Sequence, residues 1–132
     1  GSFSNALDDA DIFIGVSKAN ILTKDDINKM AKHPVVFGLA NPDPEIDPNL
    51  AKEAGVVVLA TGRSDLPNQV NAVAFPGIFR GALDNSVKRI TDQHKIAAAE
   101  AIANLVENPS TDEIIPYVLD ERLVPTIAHV IK

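Results

Sequence analysis

The sequence contains no cysteine, and this absence excludes several kinds of site. None of its 132 residues can contribute to a disulfide framework, a thiolate nucleophile or a cysteine-based zinc site. A chain without cysteine suits a reducing compartment. We therefore predict a cytoplasmic protein.

Long apolar runs and an excess of positive charge are also missing. The longest apolar stretches are too short to span a bilayer, and no basic region followed by an apolar one opens the chain. Twelve basic residues against eighteen acidic ones give a net charge of −6, and the basic residues are scattered. Neither a membrane nor a nucleic acid is expected as a partner.

Familiar catalytic and binding motifs are absent as well. There is no G-x-G-x-x-G turn for a dinucleotide, no H-E-x-x-H zinc motif and no Ser/His/Asp order typical of hydrolases. The three histidines, His33, His94 and His129, have no second ligand in register, so we interpret them as structural or solvent-facing. No metal ligand and no catalytic residue is predicted.

What the chain does contain is an alternation of short β-type runs and amphipathic segments. Strands are predicted for "ADIFIGV" (10–16), "PVVFGLANP" (34–42) and "VVVLATG" (56–62), and helices for "TKDDINKMAKH" (23–33) and "PNLAKEAG" (48–55). Strands that are apolar on both sides and separated by helices indicate a parallel sheet. Residues 1–2, Gly-Ser, are interpreted as an expression scar and excluded.

The alternation stops after the third strand, and the remaining chain has helical periodicity. Helices are predicted over 75–90 and 91–108, the second with a Thr91 cap, and a last helix begins near Pro125. The fold class is therefore α/β: a parallel sheet of about three strands with flanking helices and a helical C-terminal part.

Polar, small-residue stretches follow each predicted strand. They begin with Gly15-Val16-Ser17, with Asn41-Pro42 and with Thr61-Gly62. Ligands of open parallel sheets bind beyond the carboxyl ends of the strands, so these stretches predict a binding rim. The segment with Asn68, Gln69 and Asn71 would lie along it.

Each of these features also has a plain structural explanation. Asn41-Pro42 is an ordinary turn pair, and Asn68 and Asn71 could simply cap the next helix. Arg63 and Asp65 are expected to form a solvated ion pair of little energetic value. The acidic "PDPEID" stretch (42–47) has the composition of an exposed loop.

Four strings point further, in order along nearly the whole chain: "DIFIGVSKANILT", "VVFGLANPDPEIDP", "VLATGRSDLPNQVNAVAFPGIFRGALD" and "AAAEAIANLV". They resemble the second half of the NAD(P)-binding domain of malic enzymes of the shorter prokaryotic type. The resemblance implies a partial Rossmann-like domain covering residues 3–132. It also implies an enzyme that oxidatively decarboxylates L-malate to pyruvate and CO2 with NAD or NADP and with Mg²⁺ or Mn²⁺.

The resemblance also assigns roles to particular positions. Asn41 and Asn71 match amides that contact malate and the nicotinamide ribose, and a neutral amide can orient a substrate carboxylate. The cofactor-binding positions implied are Gly15, Val16, Ser17, Asn41, Thr61 and Gly62. Because Asn71 is followed directly by Ala72 where the family has a further amide, which of the paired amides it replaces stays open.

The family's lysine base, tyrosine acid, metal-binding carboxylates and glycine-rich loop lie upstream of the matched segment. The resemblance therefore implies a segment that supplies the nicotinamide and substrate wall of a site and is inactive alone, within a homo-oligomeric enzyme. Two alternatives remain: a free-standing binding or oligomerisation module without catalysis, and another dehydrogenase of similar topology.

Overall fold

The computed structural model describes residues 2–132 and divides them into two compact units, an N-terminal unit (2–69) and a C-terminal unit (70–132). In chain order the elements are α1 (Phe3–Ala6), β1 (Ile12–Gly15), α2 (Lys24–Ile27), β2 (Val35–Gly38), α3 (Pro48–Glu53), β3 (Val58–Thr61), α4 (Phe75–Asp84), α5 (Asp92–Ala103) and α6 (Leu123–Val130).

The N-terminal unit contains the sheet, whose strand order is β1-β2-β3 with both pairs parallel. Gly15 lies opposite Gly38, and Gly38 lies opposite Thr61, so the three strands end at the same level. The predicted three-stranded parallel sheet of an α/β fold is confirmed.

One face of this sheet forms the core of the N-terminal unit. Its buried cluster comprises Leu7, Phe13, Leu22, Ile27, Met30, Val36, Ile46 and Ala51. On the other face of β1, Ile12 and Ile14 are 56% and 65% exposed. The apolar character of β1 on both sides is therefore not matched by burial on both faces within residues 2–132, because α2 and α3 contribute to a cluster on one face of the sheet.

The predicted start of α2 is confirmed, but its predicted extent is wrong. Thr23 and Asp26 form a capping box in which each side chain accepts from the other residue's backbone N–H. The helix ends after one turn, and the amide of Met30 then donates to the nearby carbonyl of Ile27. The amide of Ala31 donates instead to the carbonyl of Ala10, so the apolar spacing of 23–33 does not extend the helix.

The C-terminal unit packs α4 and α5 against α6 around a second cluster: Val73, Ala98, Ile102, Leu123, Ile127 and Ile131. The three predicted helices are confirmed; α4 and α5 are shorter than their sequence patterns, and α6 begins at Leu123, two residues before the predicted Pro125. The Thr91 cap is confirmed too, with His94 completing the capping box.

None of the helices within residues 2–132 combines the length and the apolar character that a membrane crossing requires.

Candidate functional site

The aligned carboxyl ends of the three strands form one edge of the N-terminal unit. Beyond β1 this edge carries Val16 and Ser17, beyond β2 it carries Asn41, and beyond β3 it carries Gly62. The parallel register brings these predicted site positions to the same edge. Such an edge is where open α/β sheets bind their ligands.

Asn41 is the residue of this edge best placed to bind a ligand. Its side chain is exposed, and within residues 2–132 it makes no hydrogen bond. An amide side chain offers two N–H donors and one carbonyl acceptor. Asn41 can therefore present both kinds of group to a bound molecule.

The end of β1 is exposed at Val16, where 77% of the residue surface is accessible, and at Ser17. Gly15 is buried, and a Cβ there would lie 2.5 Å from Cδ of Glu45. The resemblance implies that Gly15 is a cofactor-binding position, and this role stays a prediction. In the structure, the space beside Gly15 is filled by the Glu45 side chain.

Thr61 at the end of β3 is fully buried. Its hydroxyl accepts a hydrogen bond from the Arg63 amide at 3.1 Å, and its own amide donates to the carbonyl of Asn68 at 3.3 Å. These bonds fix the turn after β3. The cofactor-binding role of Thr61 and of the half-buried Gly62 stays a prediction.

The turn after β3 also carries an ion pair. The Arg63 guanidinium donates to both carboxylate oxygens of Asp65, at 2.9 Å and 2.6 Å. This hydrogen bonding lowers the pKa of Asp65 below its usual value. Both side chains are substantially exposed, so the structure confirms the expected solvated pair.

The amide-rich segment divides between the two units. Asn68 is buried in the N-terminal unit, where its side chain donates to the carbonyl of Leu59 at 3.2 Å. The helix-cap alternative is wrong for Asn68, because Ala74 is the N-cap of α4 and has no side-chain capping bond. Asn71 is exposed in the C-terminal unit, and its substrate role stays a prediction.

Sequence reasoning missed Glu45. The "PDPEID" stretch was expected to be an exposed loop, yet Glu45 is 0% exposed, and Pro44 and Ile46 on either side of it are also buried. The expectation failed because proline and acid content says nothing of a tertiary partner. The available signal was glycine at the ends of two neighbouring strands, Gly15 and Gly38.

The histidines and acids do not assemble a metal site. Among residues 2–132, no group of three or more His, Asp or Glu side chains is placed to hold a metal ion. His94 accepts from the Thr91 amide at Nδ1, so its Nε2, 2.7 Å from the carbonyl oxygen of Lys132, is the nitrogen that donates. This histidine has a structural role, as predicted.

The arrangement fits part of a dinucleotide site. The exposed strand ends and the Asn41 amide suit the polar end of a ligand lying across the sheet, whereas the chain has no glycine-rich phosphate turn. These residues would contact the ligand, but they include no glycine-rich turn to hold its phosphates.

Comparison with known proteins agrees with this geometry. The profile of a family described as "Malic enzyme, NAD binding domain" matches residues 7–130. The bifunctional malic/malolactic enzyme of Bacillus subtilis is 54% identical over 134 aligned residues, which cover 99% of this chain and 33% of that protein. The NAD-dependent malic enzyme of Geobacillus stearothermophilus is 51% identical, covering 99% and 28% respectively.

Solved structures give the same result. The NAD-dependent malic enzyme of Thermotoga maritima superposes with a TM-score of 0.94 at 49% identity, covering 100% of this chain and 35% of that one. The malic enzyme of Pyrococcus horikoshii gives 0.93 at 47%, covering 99% and 31%. The chain thus spans about a third of the length of such relatives. It belongs to the malic enzyme family, as part of the NAD-binding domain.

Proposed function

We propose that this chain acts within a full-length NAD(P)-dependent malic enzyme that converts L-malate to pyruvate and CO2. The observation that carries the proposal is the exposed Asn41 amide at the carboxyl edge of a malic enzyme sheet, without a hydrogen-bond partner in residues 2–132. A relative named NAD-dependent and another named NADP-dependent support a nicotinamide cofactor of either type.

In the proposed reaction the nicotinamide cofactor takes up the two electrons that malate loses. Hydride leaves C2 of malate for the nicotinamide ring, and the hydroxyl proton is released as the C2–O bond becomes a ketone. The resulting β-keto acid then loses CO2, and the carbon that carried the lost carboxyl group takes up a proton, which gives pyruvate. A bound Mg²⁺ or Mn²⁺ in the complete enzyme would polarise the ketone oxygen during this loss.

In this proposal Asn41 and Asn71 bind the substrate by donating hydrogen bonds to a malate oxygen. Gly15, Val16, Ser17, Asn41, Thr61 and Gly62 form the wall against the nicotinamide end of the cofactor. The exposure of Val16, Ser17 and Asn41 supports this arrangement. The base, acid and metal ligands belong to other parts of the enzyme.

We further propose that residues 3–132 form the second half of an NAD(P)-binding domain and that the complete enzyme is a cytoplasmic homo-oligomer. A stripe on α4 supports the oligomer, because Phe75, Phe79 and Leu83 recur every four residues and are 56%, 62% and 80% exposed. An exposed apolar stripe is typical of a surface that is covered in the assembled protein. Light scattering on the full-length enzyme tests this, and a monomer would contradict it.

The function is tested on the full-length enzyme containing this segment. With L-malate, Mn²⁺ and either NAD or NADP, we expect reduction of the cofactor and formation of pyruvate in equal amounts. Succinate is the control, because it has no C2 hydroxyl group to oxidise. A properly folded enzyme that reduces neither cofactor would overturn the proposal and favour a binding or oligomerisation module.

A further inference from the structure

The fully buried Glu45 connects the loops that follow β1 and β2. One oxygen of its carboxyl group, Oε1, accepts from the amide of Ser17 at 2.9 Å, and Oε2 accepts from the amide of Ala40 at 3.1 Å. A single side chain therefore bridges two strand ends. We call this arrangement the Glu45 bridge.

Two backbone hydrogen bonds also connect these loops. The amide of Leu22 donates to the carbonyl of Glu45 at 2.9 Å, and the amide of Asn20 donates to the carbonyl of Pro44 at 3.2 Å. The loop after β1 is thus joined to the loop after β2 by three hydrogen bonds, one of which uses the Glu45 side chain, and the bond from the Ala40 amide holds that side chain within its own loop. The position of one loop determines that of the other.

The strand ends are shaped to admit this side chain. Gly15 and Gly38 are register partners, and a Cβ on Gly15 would lie 2.5 Å from Cδ of Glu45, closer than real Cβ contacts come. A Cβ on Gly38 would lie 3.1 Å from Pro44 Cβ and 3.4 Å from Glu45 Oε2. Both strands end in glycine where the carboxyl group lies over them.

Packing alone does not account for an acid at this position. Burying a carboxyl group costs free energy that an apolar side chain of similar size would not incur, and residues 2–132 provide it with two backbone amides and no ion-pair partner. The carboxyl group supplies hydrogen bonds of fixed direction. It holds the Ala40 amide, one residue before Asn41, and the Ser17 amide, one residue after Val16.

We propose that Glu45 is a positioning residue, whose carboxyl group holds the two loops so that Asn41 meets malate in the right orientation. The inference rests on the proposed malic enzyme function. It adds Glu45, a residue that does not touch the ligand but holds the backbone next to the Asn41 amide. A displacement of about 1 Å in such a group can cost on the order of 100-fold in rate.

The test is a double-mutant cycle in the full-length enzyme. Glu45→Gln keeps the side-chain size but replaces one acceptor oxygen by an NH2 group that faces a backbone N–H. We expect kcat/KM for malate to fall about tenfold in the wild-type background and less than about threefold in an Asn41→Ala background, since Glu45 acts through Asn41. Glu53→Gln on α3 is the control, because Glu53 is exposed and lies outside the bridge.

The outcomes separate the inference from the function. An inactive, folded wild type defeats both. An active wild type whose Glu45→Gln variant matches Glu53→Gln, or loses the same factor with and without Asn41, defeats the positioning role alone. If Glu45→Gln does not fold, hydrogen exchange in the wild-type enzyme decides: protected Ser17 and Ala40 amides that exchange more slowly still with malate and cofactor support the role, and unprotected or ligand-insensitive amides overturn it.

Discussion

At the scale of single residues, Asn41 combines a fixed backbone with an unengaged side chain. It follows Ala40, whose amide is bound by the buried Glu45, and its own side chain is exposed. The backbone is therefore anchored by a neighbour, while the side chain makes no hydrogen bond within residues 2–132. The proposed substrate role of Asn41 can thus be tested separately from its role in the fold.

We predict that Asn41→Ala in the full-length enzyme lowers kcat/KM for malate by roughly tenfold to a few hundredfold. The substitution removes one or two charge-assisted hydrogen bonds, each worth about 1.5–3 kcal/mol. The melting temperature should change little, because the side chain has no hydrogen bond to lose in the described chain. Malate kinetics and thermal unfolding on one purified variant check both parts.

The contrary result is equally clear. If Asn41 only completes a turn, the variant loses about 1 kcal/mol of stability and keeps wild-type kcat/KM. That combination would remove Asn41 from the substrate site.

The roles of single residues were harder to predict from the sequence than the elements or the fold. Asn41 was a candidate because a strand pattern ends just before it, and its substrate role stays a prediction. The burial of Glu45, by contrast, depends on the fold that brings Gly15 and Gly38 beside it. Asn68 was likewise ambiguous, since an amide before a helix and an amide bound to a strand carbonyl look alike in sequence.

At the scale of elements, the capping box of α2 stabilises the first turn with a nearly buried acid. Asp26 is 9% exposed and accepts from the Thr23 hydroxyl at 2.7 Å, from the Thr23 amide at 3.1 Å and from the Ser4 hydroxyl at 2.9 Å. The Thr23 hydrogen bond is the main reason that the pKa of Asp26 lies below its usual value. The ionised form is favoured in the folded state.

We predict that Asp26→Asn destabilises the protein by about 1–2 kcal/mol at neutral pH and that this loss shrinks in acid. A carboxyl group with a lowered pKa in the folded state contributes fully above its unfolded pKa of about 4, and the contribution disappears as pH falls through the folded value. Unfolding measured from pH 7 down to about pH 3 checks the trend. The exposed neighbour Asp25, changed to Asn, is the charge-matched control, and equal losses in both variants would contradict the prediction.

The contact between α4 and α6 depends on two glycines. A Cβ on Gly77 would lie 2.5 Å from Cβ of Ile127, and a Cβ on Gly81 would lie 2.6 Å from the carbonyl oxygen of Ala128. Neither the branch point of a buried side chain nor a backbone atom can move aside cheaply. The helices approach closely because these positions have no side chain.

Gly77→Ala is therefore expected to destabilise the protein by about 1–3 kcal/mol, although alanine is favoured over glycine in a helix by about 1 kcal/mol. Thermal or urea unfolding measures the change. Glu100→Ala on α5 is the control, since Glu100 is exposed and lies outside the α4 stripe, and its truncation should alter stability by less than about 0.5 kcal/mol. A stabilised Gly77→Ala variant would contradict the close contact.

Element types were largely predictable, and element lengths were not. Apolar periodicity located the strands and helices, and the Thr23 and Thr91 caps marked two helix starts. The α2 pattern continued to residue 33, but the helix ends at Ile27, after which the amides of Lys29 and Met30 bond to carbonyls three residues back. Helix α1 has four residues, too few for a periodic signal.

At the scale of the whole molecule, the 132-residue chain spans about a third of its relatives. It contains no set of three acids and histidines for a metal within residues 2–132 and no glycine-rich dinucleotide turn. In the proposed function, the groups that transfer protons and hold the metal come from the rest of the enzyme.

We predict that the isolated 132-residue protein does not turn over malate with NAD or NADP and Mn²⁺. The absorbance of reduced nicotinamide is the measurement, and the full-length enzyme assayed at equal molar concentration is the positive control. Cofactor reduction by the isolated chain above a buffer blank would show that it carries a complete catalytic site.

The fold class was accessible from sequence because three apolar runs separated by helices leave few alternatives to a parallel sheet. Exposure of Ile12 and Ile14 was not accessible, since an apolar strand pattern does not say which face neighbouring elements cover. The family was recognisable because four long strings matched it in order along the chain. Composition alone does not identify a family.

The Glu45 bridge ties the loop after β2 to the two strand-end glycines, Gly15 and Gly38. A side chain larger than hydrogen at position 15 requires a shorter residue at 45, whereas at position 38 it presses on Pro44 of the same loop. A shorter residue at 45 leaves the amides of Ser17 and Ala40 to be satisfied in another way. Loop 41–47 is therefore not an exchangeable part. Grafting it between relatives, or redesigning it for a new substrate, has to carry the two strand-end glycines with it.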